Sequence, residues 1–106
     1  MGLRELLAGP DVNRGLEEFK NTPGAVLMDV RTAQEYAEGH IPGSINVPLQ
    51  TIAQVEDAVP EMDTPIFVYC LSGARSRRAA AFLEKLGYSG VRNIGGISAY
   101  QGPISK

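Results

Sequence analysis

Residues 25–30 read Ala25, Val26, Leu27, Met28, Asp29, Val30, an apolar run broken only by one aspartate. A strand with one wet face alternates apolar and polar side chains. This run does not alternate, so it predicts a strand covered on both faces, the mark of a parallel sheet sandwiched between helices. Pro65, Ile66, Phe67, Val68 and Tyr69 form a second such run, the strongest in the chain, and Cys70 stands at its C-terminal end.

The segments around these runs read as helices and short strands in alternation. A short helical turn is expected over residues 3–7, ahead of Gly9 and Pro10. Asp11 is a candidate N-cap for a helix with Val12, Leu16 and Phe19 on one face. Thr32 and Glu35 form a capping box for a short helix that closes at Gly39, where a left-handed residue is wanted. Residues 44–47 make a short strand that Pro48 cuts off. A weak helix is expected over 51–59, with Ile52, Val55 and Val59 on one side. Another starts at about Ser76, carries Ala79, Phe82, Leu83 and Leu86 at helical spacing, and stops at Gly87. The last strand is expected over 91–94, broken by Gly95 and Gly96, with a final turn over 97–100. The alternation predicts an α/β fold with a parallel sheet and helices on both faces. Ligands in such sheets bind at the C-terminal ends of strands, where Cys70 lies.

The chain has 106 residues, enough for one modest core, and a single domain over 1–106 is expected. A net charge of −2 argues against binding to nucleic acid or other polyanions by bulk electrostatics. No segment approaches the roughly 20 apolar residues of a membrane span. Residues 1–10 are too short and mixed for a secretory signal, and the one cysteine has no disulfide partner. A free thiol suits a reducing compartment, so a cytoplasmic location is expected.

The chemistry concentrates in Cys70, Leu71, Ser72, Gly73, Ala74, Arg75 and Ser76, a loop between the strongest strand and a helix. A short loop there curls its N–H groups toward one centre at the positive end of the helix dipole, an anion site. Gly73 allows a positive φ, and Arg75 adds a planar cation suited to oxyanions. A thiol in that field is acidified, as a nucleophile requires. Ser72 and Ser76 are candidate donors to an anion or to sulfur, and Ser76 is equally a candidate helix cap. Arg77 and Arg78 read as a solvated face. His40, the only histidine, is weighed as a partner for Cys70 but reads better as structural within its turn. One His and one Cys make no metal site. Asp29 is expected to order a loop or to pair with Arg31 or another arginine.

Four blocks resemble the rhodanese-like domains: Asp29-Val30-Arg31 with Glu35-Tyr36, residues 39–48 from Gly39 to Pro48, the loop from Cys70 to Ser76, and Asn93 to Ile97 with Tyr100 where Trp is more usual. The resemblance implies a three-layer α/β/α fold with a small, mainly parallel sheet of about four to five strands. It implies a sulfurtransferase in which the Cys70 thiolate takes the outer sulfur of a small anion such as thiosulfate and holds it as a persulfide among the loop N–H groups. A thiol, a protein cysteine or cyanide then takes it away. No cofactor and no membrane or nucleic-acid partner is implied; Asp29, Arg31 and His40 are supporting candidates. Six residues from Cys70 to Arg75, both counted, match the sulfurtransferase branch of the fold and not its longer-looped phosphatases. A binding or regulatory module is the other alternative, though such modules usually lack the loop cysteine. The family's usual opening strand finds no match in residues 1–10.

Overall fold

The computed structural model describes residues 9–106. The helical turn expected over 3–7 and most of the stretch searched for an opening strand lie outside the described residues.

In chain order the elements are α1 (Val12–Lys20), β1 (Val26–Asp29), α2 (Ala33–Glu38), β2 (Ser44–Asn46), a 3-10 helix (Leu49–Gln54) running into α3 (Val55–Ala58), β3 (Ile66–Cys70), α4 (Ala74–Leu86), β4 (Val91–Gly96) and a 3-10 turn (Ile97–Ala99). The four strands form one parallel sheet in the order β2-β1-β3-β4. The two apolar runs thus occupy its two central positions.

Successive strand residues point to opposite faces, so each run feeds two cores. Met28, Ile66, Val68 and Cys70 face one side, where Val55, Ala79 and Leu83 cover them. Leu27, Phe67 and Tyr69 face the other and meet Val12, Leu16 and Ile94, with Phe19 packed edge-on against Phe67. The three-layer expectation holds. Asp11 caps α1 by accepting from the Asn13 N–H, and Thr32 and Glu35 form the reciprocal capping box of α2.

Several local expectations are corrected. The helix over 51–59 is a 3-10 segment followed by one α-turn, because Thr51 has non-helical angles of φ −124° and ψ 33°. Phe82 is 38% exposed, since the face of α4 turned to the sheet is carried by Ser76, Ala79, Ala80 and Leu83. Gly39 closes α2 with φ 157° and ψ 132°, outside the left-handed helical region; its carbonyl turns inward to accept from Arg31.

Gly95 and Gly96 do not break β4. Asn93 pairs with Val68, but Gly95, not Ile94, pairs with Tyr69, so Ile94 is the extra residue of a bulge. The bulge needs the positive φ of 105° that Gly95 supplies. A Cβ on Gly96 would lie 2.2 Å from the Leu71 carbonyl oxygen. The paired glycines are where the loop after β3 rests on β4.

At the end of β1, Asp29 is fully buried and Arg31 nearly so. Arg31 Nε and Nη2 donate to the carboxylate at 3.1 and 2.7 Å, and its backbone N–H donates at 2.9 Å. The same Nη2 donates to the Gly39 carbonyl at 2.7 Å. Asn46 donates to the carbonyls of Asp29 and Arg31, tying in β2. Of the pairings open to Asp29, the one with Arg31 is observed. Arg31→Met should cost about 3–5 kcal/mol, because it strands a buried carboxylate. Urea unfolding would show this as a lower midpoint at unchanged slope.

Candidate functional site

The loop between β3 and α4 wraps around the sulfur. β3 delivers Cys70 to the C-terminal end of the sheet with its side chain on the α4 face, 1% exposed. Gly73, at φ 105° and ψ −13°, turns the chain directly into α4 and is its N-cap. The helix therefore starts at Ala74, ahead of the expected Ser76, and Ser76 is not its cap. The left-handed Gly73 aims its own N–H at the sulfur, donating to Cys70 Sγ at 3.0 Å. Leu71, Ser72 and Ala74 are exposed around the mouth, and the Leu71 carbonyl accepts from the Ser98 N–H.

Two opposing effects act on the thiol. Burial pushes its pKa up, since a thiolate is poorly solvated there. The Ser76 hydroxyl and the N–H groups of Ser76, Gly73 and Ser72 favour the anion, and they win: the thiol lies below its ordinary value. Local dipoles thus do most of the acidifying. Ser76 is fully buried and its hydroxyl donates to Asn93 Oδ1 at 2.6 Å.

Arg75 is not free over the loop. Its Nη1 and Nη2 donate to both oxygens of Glu35 at 2.7 and 3.0 Å, in a bidentate pair about one-third exposed on each side. Glu35 also accepts from the Thr32 N–H, so one carboxylate caps α2 and holds the loop arginine. Glu35, and to a lesser degree Cys70, favour the charged form of Arg75. Arg77 and Arg78 are exposed, as their solvated-face reading has it.

His40 stands apart from this cluster. Its ring stacks flat on Tyr36 at 3.7 Å, its Nδ1 meets the Tyr36 carbonyl, and its backbone pairs with Ser105. Asp29 and Arg31 pair with each other, and Arg31 also donates to the Gly39 carbonyl. A surface depression lined by Arg14, Phe67 and Arg92 opens at the opposite ends of β3 and β4, remote from Cys70.

Two residues gained roles that their sequence context did not suggest. Glu35 read as a capping residue, and only the fold brings it to Arg75. Asn93 stood in the block from Asn93 to Ile97 that resembles the family, with no role of its own. Tyr69, fully buried, uses its hydroxyl to accept from the Ile41 N–H at 3.0 Å, and burial holds that phenol protonated.

The pairing has a pH signature. The hydrogen bond from Arg75, with the Thr32 N–H, outweighs burial and holds the Glu35 carboxyl at about 2, against an ordinary 4.5. A lowered folded pKa gives stability that is complete above the ordinary value and fades as pH falls through the folded one. The stability gap between wild type and Glu35→Gln should therefore be constant above pH 4.5 and close as pH approaches 2. Thermal melts across that range would measure it.

Comparison with known proteins agrees with this geometry. The Rhodanese-like domain profile matches residues 13–103. A protein named thiosulfate sulfurtransferase PspE from Escherichia coli (strain K12) is 37% identical over 71 residues, covering 66% of this chain and 68% of its own. One named thiosulfate sulfurtransferase GlpE from Pseudomonas savastanoi pv. phaseolicola (strain 1448A / Race 6) is 37% identical over 91 residues, 76% of this chain and 85% of its own. A solved structure described as a rhodanese with anions from E. coli superposes with a TM-score of 0.72 at 34% identity, covering 77% of this chain and 98% of that one.

Proposed function

The chain belongs to the rhodanese-like domain family, and from that premise we propose that Cys70 carries a sulfur atom between two substrates as a persulfide. It is a thiosulfate sulfurtransferase-like enzyme. No helix among the described residues is long and apolar enough to cross a membrane. The reading takes residues 1–106 as one domain, working in the cytoplasm.

The observation that carries the reading is the Gly73 N–H donating to Cys70 Sγ at 3.0 Å inside a loop that starts a helix. A persulfide places its negative charge one atom beyond the thiolate. The N–H groups at the helix start are the natural place for that charge. In the first step a thiolate lone pair on Cys70 attacks the outer sulfur of a donor such as thiosulfate. A sulfur–sulfur bond forms to Cys70, the donor's own sulfur–sulfur bond breaks, and sulfite leaves with the electron pair. In the second, a nucleophilic acceptor attacks the outer sulfur and Cys70 leaves as a thiolate. Cyanide, a small thiol or a protein cysteine fits that role.

Each loop residue has a part in this scheme. Leu71, Ser72 and Ala74 form the rim, the Gly73 N–H donates to the sulfur, Ser76 favours its anionic form, and Arg75 contributes positive charge from its place beside Glu35. Both steps are closed-shell sulfur displacements and ask for no cofactor. The count of six residues from Cys70 to Arg75 favours sulfur over phosphate.

Incubation with thiosulfate followed by intact-mass spectrometry should show the mass of one added sulfur, removed by cyanide or excess thiol. Cys70→Ser should stay folded and show no adduct. Failure of wild type to take up sulfur from thiosulfate or other sulfane donors would refute the scheme. Cys70-dependent turnover of an aryl phosphate would move the reading to a phosphatase.

A further inference from the structure

The loop from Cys70 to Ser76 carries one cation, Arg75, and the fold gives that cation a partner. Nη1 donates to Glu35 Oε1 at 2.7 Å and Nη2 to Oε2 at 3.0 Å, so one guanidinium engages both oxygens of the carboxylate. The same Oε1 accepts from the Thr32 N–H at 3.0 Å, which ties the carboxylate to the start of α2. At this range a plus and a minus charge largely cancel for anything that approaches from solvent.

An incoming donor meets this mouth before it meets the sulfur. The rim side chains Leu71, Ser72 and Ala74 are exposed and uncharged, and Leu71, 46% exposed, is apolar. The Gly73 N–H is engaged by Cys70 Sγ. Arg77 and Arg78 lie past the loop on α4, exposed to water and its ions. Thiosulfate brings two negative charges to this place, and the loop's side chains offer no uncancelled positive charge to the second. We propose that Glu35 is a positioning residue that sets the charge class of the donor: by cancelling Arg75 it weights the site against doubly charged sulfur donors and toward singly charged ones.

The chemical step is the same for either class. The Cys70 thiolate forms a bond to the donor's outer sulfur and the donor's own sulfur–sulfur bond breaks. The electron pair leaves with sulfite from thiosulfate, or with a sulfinate from a thiosulfonate. Only the charge beside the reacting bond differs. The inference deepens the sulfur-carrier reading and rests on it for the donor, while the charge sensed at Cys70 is measurable without any sulfur transfer.

The test compares two donors on the full chain: thiosulfate, and methanethiosulfonate, in which a methyl group replaces one charged oxygen. Loading of Cys70 is followed by intact mass, and the ratio of the two second-order rate constants is the readout. Glu35→Gln keeps an acceptor oxygen for Thr32 and Arg75 but removes the negative charge. The ratio of thiosulfate to methanethiosulfonate should then rise roughly threefold to tenfold, through tighter donor binding and not a faster saturated rate. Arg75→Met leaves the Glu35 charge alone, and the ratio should fall by a similar factor. The double variant should return close to wild type. Alkylation of Cys70 supplies a second ratio, iodoacetate over iodoacetamide, which should rise in Glu35→Gln and fall in Arg75→Met. A change in thiolate population or a loosened loop alters both reagents of a pair together and leaves its ratio flat. Flat ratios in both single variants, or shifts of the same sign, overturn the proposal. If one variant does not fold, the other still decides by the sign of its shift. A chain that loads sulfur with flat ratios keeps the carrier reading and loses this one. A chain that loads neither donor yet shows opposed alkylation shifts does the reverse.

Discussion

The buried ion pair of Asp29 and Arg31 is the constraint on which the site's geometry depends. It closes the end of β1, where the chain must leave a two-sided apolar environment, and it does so with a charge at zero exposure. A buried pair adds little net stability, because desolvation cancels much of the attraction. Its effect here is directional. Through Gly39 it fixes where α2 ends, and the backbone carbonyls of the same two residues hold Asn46 of β2. The position of α2 in turn decides where Glu35 stands, and Glu35 decides where the Arg75 guanidinium stands. A carboxylate in one core thus orients a cation on the loop of another element.

The sulfur itself is surrounded mostly by dipoles. The Gly73 N–H donates to it, and Arg75 of the same loop is already satisfied by a carboxylate. An N–H acts strongly only at contact, whereas an unpaired cation acts over several ångströms. This arrangement favours an anion that sits on or directly beside Cys70. In the proposed scheme the charge moves by one bond, from thiolate to persulfide, and stays close to these N–H groups. The paired glycines of β4 complete the arrangement by letting the loop lie against the strand with no side chain between.

Much of this was legible in the chain. The runs around Leu27 and Phe67 announced central parallel strands because buried strands leave no polar alternation. The loop from Cys70 to Ser76 stood out because glycine, arginine and a helix start coincide there, and the structure does start a helix at its end. What stayed hidden depends on distance in space. The Glu35–Arg75 pair joins residues on different elements, and nothing local to either marks the other. Phe82 sits at the margin of a helical stripe, where spacing alone cannot separate a flank from a core position. The β4 bulge was misread as a break because Gly95 and Gly96 have the same signature in either case; only pairing with Tyr69 distinguishes them. Asn93 was passed over because an amide in a strand acquires meaning only from what lies across the sheet.

That bulge makes the number of residues in β4 matter as much as their kind. Removing Ile94 would restore a regular ladder with β3 and would look, strand against strand, like a repair. It would also slide Asn93 one place relative to the glycines and take from α1 the side chain that Gly15 is notched to receive. The defect in pairing is thus a spacer: it lets one strand serve the core beneath α1 with one residue and the loop around Cys70 with the next. Variation in this segment is then freer in substitution than in length.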